Sequence, residues 1–154
     1  MKITIATIDK GGKDKLYSPL IEHYTKIIKS YSKLDIVDIF DNKISKAQDV
    51  SADIAKQSYS NAFSPYMTKN TTTIVLDPSS KEVDSFDFAF LLKDRVDVTF
   101  FIGGAFGLER GFVDQCNNAI SFGKITLSHK LIKVVLLEQI FRGLSINNNH
   151  PYHK

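Results

Sequence analysis

The chain has 154 residues, 43% of them hydrophobic and 24% charged, with a formal net charge of +3 and a single cysteine, Cys116. Such a composition excludes wholesale disorder, the length suits one domain with a continuous core, and one cysteine excludes an intrachain disulfide or a thiolate zinc site. No stretch approaches the roughly 20 apolar residues of a membrane span, and the start reads as a strand and turn rather than a signal peptide, so a cytoplasmic location is expected.

Lys2 to Ile8 alternates polar and apolar residues, the pattern of a strand. Asp9-Lys10-Gly11-Gly12-Lys13 follows as a turn or mobile loop. Leu16 to Tyr31 carries Leu20, Tyr24, Ile27, Ile28 and Tyr31 at helical spacing, and Leu34 to Phe40 alternates again as a second strand. Ser45 to Phe63 is expected as one weakly apolar helix. Thr71 to Leu76 is a short β-branched strand, expected to stop at Asp77-Pro78. A helix is expected over Ser85 to Asp94. Val96 to Ile102 is a nearly continuous apolar run ending in Gly103-Gly104, which marks a buried strand. A short helix over Leu108 to Cys116, a short strand over Ala119 to Phe122 and a helix over Leu131 to Ile146 complete the chain. Strands alternating with helices predict an α/β fold with a mainly parallel sheet.

The last helix is apolar around almost its whole circumference, with Leu131, Ile132, Val134 to Leu137, Ile140, Phe141 and Leu144. A helix of that kind must be covered on all sides. The simplest cover for the side turned away from the sheet is a second subunit; the alternative is a sandwich inside one subunit.

Three loops follow strand ends, where ligands of open α/β sheets bind. They are Leu76-Asp77-Pro78, Ile102-Gly103-Gly104-Ala105-Phe106-Gly107-Leu108 and Phe122 to His129. The middle loop fails the G-x-G-x-x-G dinucleotide fingerprint, because Ile102 stands where the first glycine is needed, and it lacks the lysine of a P-loop. It supports a ligand loop or a tight strand-to-helix turn.

Charge is uneven. Ser121 to Lys154 holds Lys124, Lys130, Lys133, Arg142 and Lys154 against Glu138 alone, a net +4 that leaves −1 for the rest. A basic segment on a neutral body is an electrostatic footprint for a polyanion. The ending Asn149-His150-Pro151-Tyr152-His153-Lys154 adds rings that stack on bases and cations that meet phosphates. A frayed tail is the plain alternative. Cys116 has no assigned role, and His129, just before the apolar run, is expected to cap or orient the last helix.

The run Phe101-Ile102-Gly103-Gly104 through Gly107-Leu108, the segment Ile125-Thr126-Leu127 with His129, the Glu138-Gln139 to Arg142 helix and the ending Asn149 to His153 resemble the RlmH family of SPOUT methyltransferases, over the whole chain. The resemblance implies one SPOUT domain over residues 1–154, with a C-terminal trefoil knot, an exception to the ban on knotted connections. It also implies S-adenosylmethionine as cofactor, no metal, and a homodimer in which each tail completes the partner's site. The implied substrate is 23S rRNA within the assembled ribosome, methylated at N3 of a pseudouridine.

Carried over by position, the cofactor residues are Leu76, Gly103, Gly104 and the run Gly123, Lys124, Ile125, Thr126, Leu127 and Ser128. The catalytic residues are His153, Tyr152 and Arg142, with His150 and Lys154 on the RNA. Two residues depart from the family pattern: Ser128 stands where proline is common and Lys154 where arginine is usual. His153 is the first choice of base, Tyr152 stacks or orients the target, and Arg142 stabilises the developing anion or grips phosphate. Ribose 2′-O-methylation and a non-catalytic ribosome-binding module stay open as alternatives, as does, more weakly, a nucleotide-binding regulator.

Overall fold

The computed structural model describes residues 1–154. Five strands, β1 (Lys2–Ile8), β2 (Lys33–Ile39), β3 (Thr72–Glu82), β4 (Asp97–Ile102) and β5 (Asn118–Ser121), form one sheet in the order β2-β1-β4-β3-β5. Every pairing is parallel. Helices α1 (Ser18–Ile28), α2 (Asn42–Val50), α3 (Ala52–Phe63), α4 (Ser85–Leu92), α5 (Arg110–Gln115) and α6 (His129–Asn147) cover both faces. Successive strand residues point to opposite faces. Phe100 therefore joins Ile3, Ile5, Phe88, Leu136 and Leu137 on one side, while Phe101 joins Tyr59, Phe63 and Phe112 on the other.

The expected α/β class and parallel sheet are observed, with instructive differences in detail. The single helix expected over Ser45 to Phe63 is two. Ser51 is extended (φ −166°, ψ 164°), ends α2, and its hydroxyl accepts from the Ile54 amide to start α3. A serine at that point competes for backbone groups and caps more readily than it continues a helix. The helix also begins earlier, because Asp41 caps it at the Ile44 amide. β3 does not stop at Asp77-Pro78. Its pairing with β5 skips from Leu76 to Lys81, so the proline sits in a bulge that needs no ladder donor.

α6 is the largest departure from expectation. Leu136, Leu137 and Ile140 are fully buried within one subunit, between the sheet, α1 and α4. The sandwich alternative is the observed one, so the apolar circumference does not itself require a second subunit. Nor is the helix wholly apolar inside: Lys133 is 2% exposed. No helix is long and apolar enough to cross a membrane.

Candidate active site

Beyond the carboxyl ends of β4 and β5, and beside the bulge in β3, lies a cavity of about 700 Å³. Loops there can approach a ligand through their backbones, because the parallel strands end together and the helices start behind them. Leu76, Gly103, Gly104, Gly123, Ile125, Thr126, Leu127 and Ser128 all line it. Of the expected cofactor residues only Lys124 does not; it is exposed on the outside of its loop. Ile102, Leu108, Ile132 and Val135 add apolar wall, and Asp77 adds one carboxylate, which accepts from Arg110 at 2.6 Å.

Two loop glycines are required by conformation. Gly107 (φ 77°) and Gly123 (φ 132°) occupy the region that L side chains avoid. Gly123 is also locked to Ser121, whose hydroxyl donates to the Gly123 carbonyl and accepts from its amide. Gly104 serves a different end. A Cβ there would lie 2.6 Å from the buried Tyr59 ring, so Gly104 makes room for Tyr59 beneath the loop. Tyr59 in turn accepts from the Gln48 side chain at 2.6 Å.

Ser128, not His129, caps α6: its hydroxyl accepts from the Leu131 amide at 3.3 Å. Its φ of −61° is the value a proline ring would impose, so serine keeps the path and adds the cap. His129 lines the cavity and turns Nε2 to Asp9 at 3.4 Å. Asp9 is 5% exposed and lies against Lys133, whose Nζ donates to Asp9 at 3.0 Å and to Asp38 at 2.5 Å. Burial alone would raise the Asp9 pKa. The hydrogen bond and charge of Lys133, with the Gly11 amide and His129, outweigh it and hold the carboxyl below its ordinary value. The sequence pattern gave no sign of this triad, since its members are 29 and 95 residues apart along the chain, from Asp9 to Asp38 and from Asp38 to Lys133.

The charge footprint changes accordingly. Lys133 is buried, and Lys130 lies 3.8 Å from both Asp9 and Asp14. Arg142 is paired with Glu138, which leaves the exposed Lys124 and Lys154 as the unpaired part of the C-terminal excess.

The tail forms a second cluster on α6. Arg142 donates to Glu138 through Nε at 3.0 Å and Nη2 at 2.5 Å. Tyr152 donates to the same Glu138 oxygen at 3.1 Å and stacks under the guanidinium, 4.8 Å from ring centre to Cζ. His153 Nδ1 lies 3.1 Å from Arg142 Nη1, and its ring meets Phe86 edge-on. Arginine only donates, so Nδ1 accepts here and the ring proton lies on Nε2. The Glu138 hydrogen bond raises the Arg142 pKa further, and burial followed by Glu138 raises that of Tyr152, which stays a neutral phenol at physiological pH. His150 packs beside Tyr31 and Phe141 and donates its amide to the Ser145 carbonyl at 2.9 Å. Lys154 is exposed. The tail is therefore docked rather than frayed, and Glu138, which joins Arg142 to Tyr152, is the residue the sequence reading missed. A carboxylate one turn before an arginine on a helix was the available signal.

These catalytic and RNA candidates cluster with one another, but none of them lines the cavity of their own subunit. Arg142 lies seven residues past Val135, the last α6 residue on the cavity wall, about 10 Å along the axis. Cys116 remains outside both clusters; burial pushes its thiol up to about 11, so it stays protonated. No group of three or more His, Cys, Asp or Glu side chains is placed to hold a metal.

The fold and cavity define a parallel α/β protein with a cavity of mixed apolar and polar lining among the loops that follow its strands. The family model described as "Predicted SPOUT methyltransferase" matches residues 1–153, and the chain belongs to this family. Three relatives carry the name Ribosomal RNA large subunit methyltransferase H. That of Sulfurovum sp. (strain NBC37-1) is 63% identical over 154 residues, 100% of both chains. That of Campylobacter lari is 46% identical, again over 100% of both. That of Nitratiruptor sp. is 47% identical over 151 residues, 97% of this chain and 98% of the relative. A methyltransferase requires a methyl donor.

Proposed function

We propose that this chain, acting as a single SPOUT domain in the cytoplasm, methylates N3 of a pseudouridine in 23S rRNA on the assembled ribosome, with S-adenosylmethionine as the donor. The observation that carries the reading is the cavity itself. Residues expected to hold the cofactor, drawn from three separate loops, converge on one space. Its volume lies within the range of small-molecule sites, and its apolar walls with backbone edges suit an adenosine. The knotted path belongs to this proposal: the Gly123–Ser128 loop and the Gly103–Leu108 loop would cross at the cavity.

S-adenosylmethionine, when bound, supplies an electrophilic methyl group that needs in-line placement rather than activation. The protein's part is to present the ring nitrogen and manage its proton. Arg142 is a fixed cation beside the place where negative charge would develop. Tyr152, being neutral, orients or stacks and does not act as a base. His153 accepts the N3 proton once RNA displaces Arg142 from Nδ1. His150 and Lys154 meet the RNA.

The separation of the tail from the cavity in one subunit supports a homodimer. A second copy would bring its own Arg142, Tyr152 and His153 to the mouth of this cavity. Ile125 and Leu131, exposed at that rim, are apolar surface such a copy would cover. The test is transfer of labelled methyl from S-adenosylmethionine to ribosomes lacking the modification, followed by mapping of the labelled nucleoside. Label in a ribose, or none at all despite cofactor binding, would overturn the reading.

A further inference from the structure

The loop between β1 and α1 sorts its charges by direction. Its two acids turn toward α6, Asp9 buried and Asp14 part-exposed. Asp9 is 5% exposed against Lys133, and Asp14 accepts from the Leu16 and Tyr17 amides while facing Lys130. Its bases face outward: Lys13 and Lys15 are exposed and enter no ion pair, whereas Lys10 lies over the Phe40 ring. The loop is fastened rather than free. Asp14 donates its amide to the Ser18 hydroxyl, Gly11 donates to Asp9, and the start of the segment is pinned to α6 where Lys133 holds Asp9. The loop lines none of the cavity itself and reaches it through one neighbour, since His129 both lines that space and touches Asp9.

An ion cluster whose Asp9 and Lys133 are buried, with Asp38 at its open edge, contributes little net stability but penalises any rearrangement that parts the buried pair. Here the penalty falls on movement of the loop. A nucleotide whose base enters the cavity brings its neighbouring phosphates to the rim, where fixed outward cations are of most use.

We propose that the β1–α1 loop is an RNA-backbone contact surface, with Lys13 and Lys15 meeting phosphates and Lys133 acting as the positioning residue that holds the loop beside the cavity. This rests on the proposed methylation of ribosomal RNA. It assigns backbone contact to the N-terminal half of the chain, where the sequence charge is nearly balanced.

The experiment compares full-length variants in methyl transfer to unmodified ribosomes over a salt series, with S-adenosylmethionine affinity measured separately by calorimetry. Lys13→Ala/Lys15→Ala should raise KM for ribosomes about tenfold, leaving kcat and cofactor affinity within about twofold. The slope of log kcat/KM against log salt should become shallower by about 1.4 to 1.8, since each phosphate contact contributes about 0.7 to 0.9. Lys33→Ala/Lys69→Ala removes equal charge at the amino ends of the strands and should leave that slope unchanged. Asp9→Asn/Asp38→Asn/Lys133→Met neutralises the triad without stranding a charge; it should stay folded and raise KM comparably with every surface lysine intact. An unchanged slope in the first variant, or the same change in the control, would overturn the contact surface. An unchanged KM in the neutral triad would overturn the role of Lys133. If the parent protein itself fails to label ribosomes, the proposed function falls first and this inference with it.

Discussion

The cavity and the tail cluster share α6, yet they are built by opposite means. The cavity is a product of strand ends: its lining is apolar side chain and loop backbone, with Asp77 as its one carboxylate. The tail cluster is a product of side chains. Glu138, Arg142, Tyr152 and His153 satisfy one another on the helix surface, with Phe141 and Phe86 as apolar support. Backbone positions are fixed by the sheet and are costly to move. A surface network of charge and rings can exchange partners at small cost, since its hydrogen bonds are replaceable by those of RNA. On the proposed function, that difference suits the cavity to the cofactor and the tail to the larger RNA.

The largest expected effect strikes both regions together. Leu137→Asp places a carboxylate where no water reaches, in the helix that carries both. An unpaired buried charge costs several kcal/mol, so the protein should lose its cooperative thermal transition rather than merely dissociate. A native-like melt would show that α6 is less tightly held than the fold implies.

The next effect separates the regions. Arg142→Ala removes the cation from the tail cluster and leaves the cavity wall untouched. Methyl transfer to ribosomes should fall by about 10² to 10³, the range for loss of one anion-stabilising donor, with cofactor affinity within about twofold. Deletion of Pro151 to Lys154 should behave similarly. Equal losses of cofactor affinity and rate would mean that the two regions are one.

Gly104→Val attacks the cavity from behind. Its side chain would meet Tyr59, not a ligand, so stability should drop by about 1 to 3 kcal/mol, as overpacking does. Tyr59→Phe, which keeps the ring, should not restore it, whereas Tyr59→Ala in the same chain should relieve the clash. Thermal melts of the three variants decide.

Acid should loosen the Asp9 side of the cavity. The Asp9 pKa is lowered from 3.8 in the folded protein, so its contribution is complete above that value and is lost as pH falls through the lower folded value. Urea midpoints should therefore decline below about pH 4 more steeply in the parent than in Asp9→Asn. Parallel curves would remove Asp9 from the acid limb. The smallest effect belongs to Lys154→Ala, which should weaken ribosome binding a few-fold and reduce the salt slope by about one contact.

Much of this was legible from the chain alone. Period-two alternation marked β1 and β2, β-branched and continuous apolar runs marked β3 and β4, and helical spacing marked α1, because burial imposes its pattern on the sequence. Glycines after strands marked the cavity loops, and a resemblance in the loops and tail pointed to methyl transfer. Local chemistry that pattern reading underweights set the break at Ser51 and the bulge at Asp77-Pro78. Only the tertiary structure decided the rest. It covered α6 within one subunit, turned Lys133 from surface charge into a buried anchor, placed Tyr59 under Gly104 and folded the tail onto Glu138. Each of these joins residues remote in sequence, and such a contact costs chain entropy that only the assembled core repays. Spacing along the chain records which face a residue must bury, and the fold alone determines what it meets there.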